Sequence, residues 1–255
     1  KAAQLSLLGA QARRSALEMV YRATSGHLGG SMSLCEILSV LYFDTMRIDP
    51  AKPDDPDRDR FVLSKGHAAA VTSFSQAAIG CYDVGDIYKE YATNFGRFGM
   101  HSCNLANPYV DVSTGSLGHG FPVASGMATA LKRKGSSSRV YTVVGDGECD
   151  EGQVWEAAQF AAHYKLDNLI CFVDDNKYQL DGAVDKVMSH GKGIGAKFDA
   201  FGWNVIELQD GNDVEQIYDA VQLAYDTKGK PTCIVLNTVK GLGATFAEGT
   251  GAHSS

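Results

Sequence analysis

Two polar segments follow apolar runs near the middle of the chain. Val140 to Val144 leads into Gly145-Asp146-Gly147, and Leu169 to Val173 leads into Asp174-Asp175-Asn176. If both runs are buried parallel strands, their carboxyl ends meet at one edge of a sheet, where open α/β sheets bind ligands. Mg²⁺ prefers oxygen ligands and keeps positions open for substrate phosphates. The two segments together therefore predict a metal-bridged diphosphate site, although either one alone is common in ordinary turns.

The sequence around these segments alternates between strand-like and helix-like patterns. Apolar residues at helical spacing predict a helix from about Leu5 to Thr24, and Ser33 with Glu36 is typical of a capping box that opens a helix through Phe43. The alternation predicts one α/β domain over residues 1–255, with a parallel sheet between two layers of helices. Further strands are predicted at Phe61 to Ser64, Arg139 to Val144, Leu169 to Val173, Asn204 to Leu208 and Thr232 to Thr238, and helices at His67 to Ile79, Val84 to Asn94, Phe121 to Lys134, residues 151–164 and an Asn212-capped segment ending at Gly229.

Composition excludes several classes of protein. The formal net charge of -7 disfavours a nucleic-acid partner, and no apolar stretch approaches the length of a membrane span. The six cysteines lie far apart and form no Cys-x-x-Cys pair, which favours reduced thiols and a cytoplasmic location. No complete dinucleotide or nucleoside triphosphate motif follows Gly145-x-Gly147, because Asp150 occupies the position of the third Rossmann glycine.

Five of the seven histidines lie in or beside Gly- and Ser-rich loops. A single histidine in a loop is usually just exposed, but five at the ends of α/β elements suggest that they converge. Imidazole groups transfer protons near neutral pH and can hydrogen-bond sugar hydroxyls. The five are His27, His67, His101, His119 and His253, whereas His163 and His190 are interpreted as structural.

Six segments occur in an order that is typical of one enzyme family. They are Ser25-Gly26-His27-Leu28-Gly29-Gly30, Leu63-Ser64-Lys65-Gly66-His67-Ala68, Ser113-Thr114-Gly115-Ser116-Leu117-Gly118, Gly145-Asp146-Gly147-Glu148-Cys149-Asp150-Glu151-Gly152, Tyr164-Lys165-Leu166-Asp167-Asn168-Leu169-Ile170 and Asp174-Asp175-Asn176-Lys177. With these segments the chain resembles the transketolases, which are thiamine diphosphate enzymes, over essentially its whole length. The resemblance implies a thiamine diphosphate-binding fold.

The resemblance also implies roles for the matching residues in cofactor binding. Asp146, Asn176 and the main-chain carbonyl of Tyr178 would hold Mg²⁺, or Ca²⁺ or Mn²⁺ in its place, next to the diphosphate. His67 and Gly147 would contact the diphosphate itself, and Gly115, Ser116 and Leu117 would meet the middle of the cofactor. Glu148 and Asp150 are interpreted only as charges that favour a helix terminus.

Other matching residues are implied in proton transfer. His27, His101 and His253 would surround the hydroxyls of a donor sugar, and His253 would also contact the cofactor. Glu151 and Glu156 would join a water-linked proton network between two active sites, although without the resemblance they are solvated first-turn charges. His119 stands where many family members have Gln, and we assign it no role.

The predicted function is ketol transfer from a ketose, as a sugar phosphate or a related sugar, to an aldose. The family uses an activating glutamate from a second domain, and this chain ends before such a domain could begin, so we expect a two-plus-two assembly with a separate C-terminal subunit. An excised fragment is the alternative explanation of the length. The alternative functions are the alpha subunit of a 2-oxoacid dehydrogenase and a non-catalytic regulatory protein with a vestigial site.

Overall fold

The five strands of the chain form one parallel sheet in a computed structural model, which describes residues 1–251. Their order across the sheet is first, second, third, fifth, fourth. The second and third strands lie at the centre and are buried along almost their whole length, which explains their continuous apolar sequences. The strands are β1 (Arg60–Leu63), β2 (Val140–Gly145), β3 (Leu169–Asp175), β4 (Asn204–Leu208) and β5 (Thr232–Asn237).

Helices separate the strands along the chain and cover both faces of the sheet. Within the described residues, no helix combines the length and the hydrophobicity that a membrane crossing requires. Single 3-10 turns lie at Gly66–Ala68 and Gly147–Asp150, each directly after a strand end. The helices are α1 (Ala2–Ala23), α2 (Leu28–Met32), α3 (Cys35–Val40), α4 (Ala69–Ala78), α5 (Val84–Glu90), α6 (Gly120–Arg133), α7 (Gly152–His163), α8 (Val184–Val187), α9 (Ile194–Ala200) and α10 (Val214–Asp226), and a π-helical turn, Leu41–Thr45, follows α3.

Alternate residues of each strand face different hydrophobic cores. Tyr141 and Val143 of β2 pack into one core with α1, α3, α4 and α10, whereas Val140 and Val144 pack into the other with α6, α7 and α9. The fold is therefore a three-layer helix/sheet/helix arrangement. The predicted fold class is confirmed, and the predicted β4 bounds agree with those of the structure.

Two predicted helix caps are wrong because the polar side chains have distant partners. Ser33 donates to Asp174 Oδ2 at 2.7 Å, and Glu36 accepts two hydrogen bonds from Arg13, so these residues form no capping box. Helix α10 begins after Asp213, whose carboxylate accepts from the Glu215 and Gln216 amides, and Asn212 donates instead to Glu36. Helix α5 also ends earlier than predicted, at Glu90, and α9 is not predicted at all.

Candidate active site at the carboxyl edge of the sheet

The two polar segments meet at the edge of the sheet where they were predicted. Gly145 at the end of β2 pairs with Asp174 of β3 in the register of these neighbouring strands. Asp146 follows β2 directly, and its Oδ2 accepts a hydrogen bond of 2.6 Å from the amide of Lys177, just beyond β3. Asn176 and Tyr178, on either side of Lys177, are therefore held close to Asp146.

Asp146 carries a carboxylate that is nearly without solvent contact. Burial raises the pKa of Asp146 to about 7, and the neighbouring negative charge of Asp174 adds to this effect. The Gly147 amide donates to Asp146 Oδ1 at 2.7 Å, so in this structure Gly147 faces its neighbouring carboxylate. A bound divalent cation would stabilise the ionised form of this group.

Asn176 is held with a defined orientation of its amide. Its Nδ2 donates to Asp174 Oδ2 at 3.0 Å, and its Oδ1 accepts from the Tyr178 amide at 3.2 Å. The side-chain nitrogen, and not the oxygen, is therefore used by Asp174, and Asn176 lines the cavity together with Asp146 and Tyr178.

A buried ion pair supports this edge from behind, and the sequence analysis did not identify it. Asp174 is fully buried and forms a short ion pair with Lys65, which follows β1. Asp174 also accepts from Ser33 and Thr238, so every oxygen of the carboxylate is satisfied by protein donors. In the sequence, only the position of Lys65 two residues before His67, in one of the six family segments, indicates that it lies at the site.

One cavity of about 200 Å³ collects most of these groups. Lys240, which the sequence analysis also missed, points its ammonium into this region, 3.5 Å from the main-chain oxygens of Tyr178 and Gln179. Burial and the charge of Lys65 lower the pKa of Lys240. The cavity is lined by Gly30, Lys65, His67, Leu117, Gly145, Asp146, Gly147, Glu148, Asn176, Tyr178, Gln179, Leu180, Asp181 and Lys240.

The groups around the cavity fit a cation bridged to a diphosphate. Asp146, Asn176 and the Tyr178 carbonyl offer only oxygen atoms, as Mg²⁺ requires, and Lys240 with His67 offers positive or hydrogen-bonding groups to an anion. In the described part of the chain, no cluster of three or more His, Cys, Asp and Glu side chains could hold a metal. The fit therefore depends on the mixed set of one carboxylate, one amide and one carbonyl.

Three of the loop histidines converge beside the cavity. The ring of His27 lies 5.5 Å from that of His67 and 5.2 Å from that of His101, measured between centroids. Burial and the charge of His101 lower the pKa of His27, and burial lowers the pKa of His101. A Cβ on Gly30 would lie only 2.9 Å from His67 Nε2, so this glycine permits the close approach of His67.

The loop before α6 brings its residues to the site in different ways. Leu117 lines the cavity, and a Cβ on Gly115 would lie 3.3 Å from the His101 ring. Ser116 and His119 are both exposed. Gly118 has a φ of 77°, a left-handed conformation that favours glycine, and it packs against Glu151.

Glu148 is not a simple helix-terminus charge. Its carboxylate is buried and accepts from Ser64 Oγ at 2.5 Å, from the Gly118 amide at 2.8 Å and from the Gly145 amide at 3.0 Å. Burial raises its pKa, while these donors act in the opposite direction. Asp150 accepts from Gln179 Nε2 at 2.6 Å and so fastens the segment after β3.

The remaining glutamates and histidines of the sequence analysis that the structure describes do not line the cavity. Glu151 precedes α7 and Glu156 lies on the same helix, and both are exposed. His163 is exposed at the end of α7, whereas His190 is buried, and its Nε2 lies 3.0 Å from the Asp146 carbonyl oxygen. His253 lies outside the described residues.

Comparison with known proteins identifies the family. Residues 7–255 match the family described as transketolase, thiamine diphosphate binding domain. The 6-deoxy-6-sulfo-D-fructose transketolase subunit SqwG of Clostridium sp. (strain MSTE9) is 42% identical over 93% of this chain and 85% of its own length. One of the apulose-4-phosphate transketolase subunits, from Phocaeicola vulgatus, is 38% identical over 96% of this chain and 86% of its own length.

Solved structures give the same result. A transketolase from Pichia stipitis in complex with sedoheptulose 7-phosphate superposes with a TM-score of 0.93 at 32% identity, covering 98% of this chain but 38% of the solved one. The chain belongs to the transketolase family and corresponds to its thiamine diphosphate-binding domain. The predicted family, transferase class and transketolase function are thereby confirmed, and these matches favour this function over the 2-oxoacid dehydrogenase alternative.

Proposed function

We propose that this chain is the diphosphate-binding N-terminal subunit of a two-subunit transketolase. The observation that carries the proposal is the cavity that Asp146, Asn176, Tyr178 and His67 line together. The names of the relatives, which call them transketolase subunits, support a separate chain for the second half.

Thiamine diphosphate and Mg²⁺, or Ca²⁺ or Mn²⁺, are the proposed cofactors. Asp146, Asn176 and the Tyr178 carbonyl would hold the ion, while Lys240 and His67 would face the diphosphate oxygens. Gly147 would contact the diphosphate. The loop of Gly115, Ser116 and Leu117 would contact the middle of the cofactor. When bound, the cofactor supplies a thiazolium carbon that acts as a nucleophile and then as an electron sink.

The chain's own groups would bind the donor sugar and move protons. His27 and His101 lie next to each other at the cavity and are the proposed partners of the donor hydroxyls, together with His253. Their lowered pKa values leave His27 and His101 neutral near pH 7, so each can both donate and accept a hydrogen bond. Glu151, directly before α7, and Glu156, on the exposed side of that helix, are proposed to join a proton network at a subunit interface.

A C-terminal subunit with the pyrimidine-binding domain is the proposed partner, in a two-plus-two assembly. The exposed side of α7 supports a contact there, because Phe160 and Tyr164 present an aromatic pair, with ring centroids 4.5 Å apart, near Glu156. We also propose that residues 1–255 form a single domain in a cytoplasmic protein. The one continuous sheet supports the first statement, and six free cysteines support the second.

The proposed reaction transfers a two-carbon ketol unit from a ketose to an aldose. The relatives act, by their names, on 6-deoxy-6-sulfo-D-fructose and apulose 4-phosphate. The donor is therefore proposed to be a ketose phosphate or a related ketose with another anionic terminus.

The test is a ketol-transfer assay of this chain together with its genomic neighbour. We expect Mg²⁺- and thiamine diphosphate-dependent release of an aldose from at least one ketose of a panel that includes phosphorylated and sulfonated sugars. Oxidation of pyruvate in place of ketol transfer would favour the 2-oxoacid dehydrogenase alternative. Cofactor binding without any turnover would favour a regulatory protein.

A further inference from the structure

The Glu148 carboxylate joins three separate loops at the sheet edge. Ser64, at the end of β1, and Gly118, in the loop before α6, donate to Glu148 Oε1, and Gly145, at the end of β2, donates to Oε2. Ser64 Oγ in turn accepts from the Phe121 amide at 3.0 Å, in the first turn of α6. A single buried side chain thus connects β1, β2 and the start of α6.

Each of these loops supplies a different wall of the cavity. His67 follows Ser64, Asp146 follows Gly145, and Leu117 precedes Gly118. Two of the walls are polar, whereas Leu117 offers an apolar surface. A ligand with an anionic end and an apolar ring system must contact the polar and apolar walls at once, so its affinity depends on the distance between them.

The loop of Leu117 has few other connections to the polar walls. Thr114 Oγ1, three residues before Leu117, donates to the Leu63 carbonyl at 2.7 Å, and Gln153 Nε2 contacts the Leu117 carbonyl itself at 3.4 Å, which is long for a hydrogen bond. Asp146, by contrast, is also held by the amides of Gly147 and Lys177. Loss of the Glu148 contacts should therefore loosen the Leu117 wall more than the metal-binding wall.

We propose that Glu148 is a positioning residue that sets the distance between the diphosphate-binding wall and the Leu117 wall of the cavity. The proposal rests on the proposed function, since it takes the ligand to be thiamine diphosphate. A purely electrostatic effect of Glu148 would change the affinity for the cofactor in the opposite direction from a positioning effect. Removal of a negative charge near an anion should strengthen anion binding, whereas removal of a positioning group should weaken binding of the complete cofactor.

The experiment compares two ligands in the enzyme assembled with its C-terminal subunit. Dissociation constants at pH 8 are measured for thiamine diphosphate and for inorganic diphosphate, both with saturating Mg²⁺, in the wild type, Glu148→Gln and Asp150→Asn. The Glu148→Gln change keeps the shape of the side chain but replaces one accepting oxygen with an NH2 group. That group would face a hydroxyl or amide that donates to Glu148 in the wild type. Asp150→Asn is the matched control, which removes a charge from the same turn without touching the three loops and keeps an oxygen that can accept from Gln179.

We expect Glu148→Gln to weaken thiamine diphosphate binding by about tenfold or more, the usual effect of losing hydrogen bonds to a buried charge. Inorganic diphosphate should bind this variant as tightly as the wild type or more tightly. Asp150→Asn should bind both ligands at least as tightly as the wild type. Faster amide hydrogen exchange in residues 113–119 of Glu148→Gln, with unchanged exchange in residues 145–150, would support the same conclusion.

Equal weakening of both ligands, or identical behaviour of the two variants, would overturn the proposal. If Glu148→Gln does not assemble, Ser64→Ala removes one of the donors and is expected to give a smaller loss of the same sign. A wild-type enzyme that binds no thiamine diphosphate would refute the proposed function instead, and the two failures are therefore distinguishable.

Discussion

The buried charges of Asp146 and Lys240 have no close counter-charge in the described part of the protein, and this indicates the kind of ligand that the cavity would accept. Asp174 is neutralised by Lys65 inside the protein, whereas Asp146 and Lys240 face the cavity without such a close ion pair. A cation next to Asp146 and an anion next to Lys240 would complete the balance. A metal diphosphate supplies both charges in a single ligand.

Asp146→Ala and Asn176→Ala are each expected to weaken Mg²⁺-dependent thiamine diphosphate binding by more than about 100-fold, because loss of a supporting residue alone typically costs 10- to 100-fold. The fold should survive, since both residues lie beyond the strand cores. Calorimetric titration of the assembled enzyme measures the affinity, and circular dichroism measures the fold. Asp185→Ala, an exposed acid on α8, is the matched control. Near-native affinity in both site variants would contradict the proposal that Asp146 and Asn176 bind the metal ion.

His27→Ala and His101→Ala are expected to retain the cofactor but to lose transfer rate. Their rings lie beside the cavity, where donor hydroxyls and migrating protons are proposed, and loss of a positioned acid or base typically costs about 10² to 10⁴ in rate. Steady-state kinetics and cofactor titration separate the two effects. His163→Ala, at the last residue of α7 and outside the cavity, should change neither. A variant with weaker cofactor affinity but unchanged turnover would show that the histidine binds the cofactor and not the donor sugar.

The stability of the chain should fall as the pH drops below 6.5, partly because of His27. Burial and the charge of His101 lower the pKa of His27 below 6.5, so the unfolded chain binds more protons than the folded one between the two pKa values. The stability present above pH 6.5 is therefore lost as the pH falls through the folded pKa. Melting temperatures at pH 7.5 and 5.5 should differ less in His27→Gln than in the wild type or in His163→Gln. An identical pH dependence in all three proteins would contradict the lowered pKa.

The sequence predicts which residues meet at the cavity but misses those whose partners lie far away along the chain. Asp146, Asn176 and His67 are predictable because strand ends and loops in an α/β pattern mark a ligand-binding edge. Glu148 and Lys65 are not, because Ser64 and Asp174, their partners, are close only in the folded chain. A local pattern of glutamate before a helix is equally compatible with a solvated helix-terminus charge.

At the scale of elements, the same limit separates correct from incorrect predictions. The central strands β2 and β3 are predictable because full burial leaves an unbroken apolar sequence, and their ends differ from the predicted ones by only a few residues. The capping box at Ser33 is wrong because that hydroxyl satisfies the buried Asp174. Helix α9 is short and contains Gly195, so neither its length nor its composition signals a helix.

The Lys65–Asp174 pair connects the end of β1 to β3, and its loss should destabilise the fold. Lys65→Met leaves Asp174 as a buried charge without its partner, which typically costs about 3–5 kcal/mol of unfolding free energy. Lys132→Met is the matched control, because Lys132 pairs with Asp167 at a partly exposed site, where such pairs contribute about 1 kcal/mol or less. Urea denaturation measures both. Equal losses in the two variants would show that Lys65 has no special part in joining these strands.

At the scale of the whole molecule, the described surface contains a site that is open on one side. The cavity lies at the sheet edge, Leu180 at its rim is 68% exposed, and the Phe160 and Tyr164 rings of the α7 region also reach solvent. The chain covers 38% of the solved transketolase from Pichia stipitis. The residues of this site are proposed to serve the diphosphate, the metal and the donor hydroxyls, and none of those within the described range is proposed to activate the thiazolium.

The chain alone is therefore expected to be catalytically silent and to gain activity only with a second polypeptide that supplies an activating glutamate. Enclosing the cofactor between two chains requires a heterologous interface, and a symmetric pair of such interfaces gives a two-plus-two assembly. Binding of the cofactor across that interface should also raise the stability of the complex with rising cofactor concentration. The measurements are ketol transfer and molecular mass, for this chain alone and with its genomic neighbour, at saturating Mg²⁺ and cofactor. Full activity from the 27.3 kDa chain alone would refute this prediction, because the activating group would then have to lie within its 255 residues.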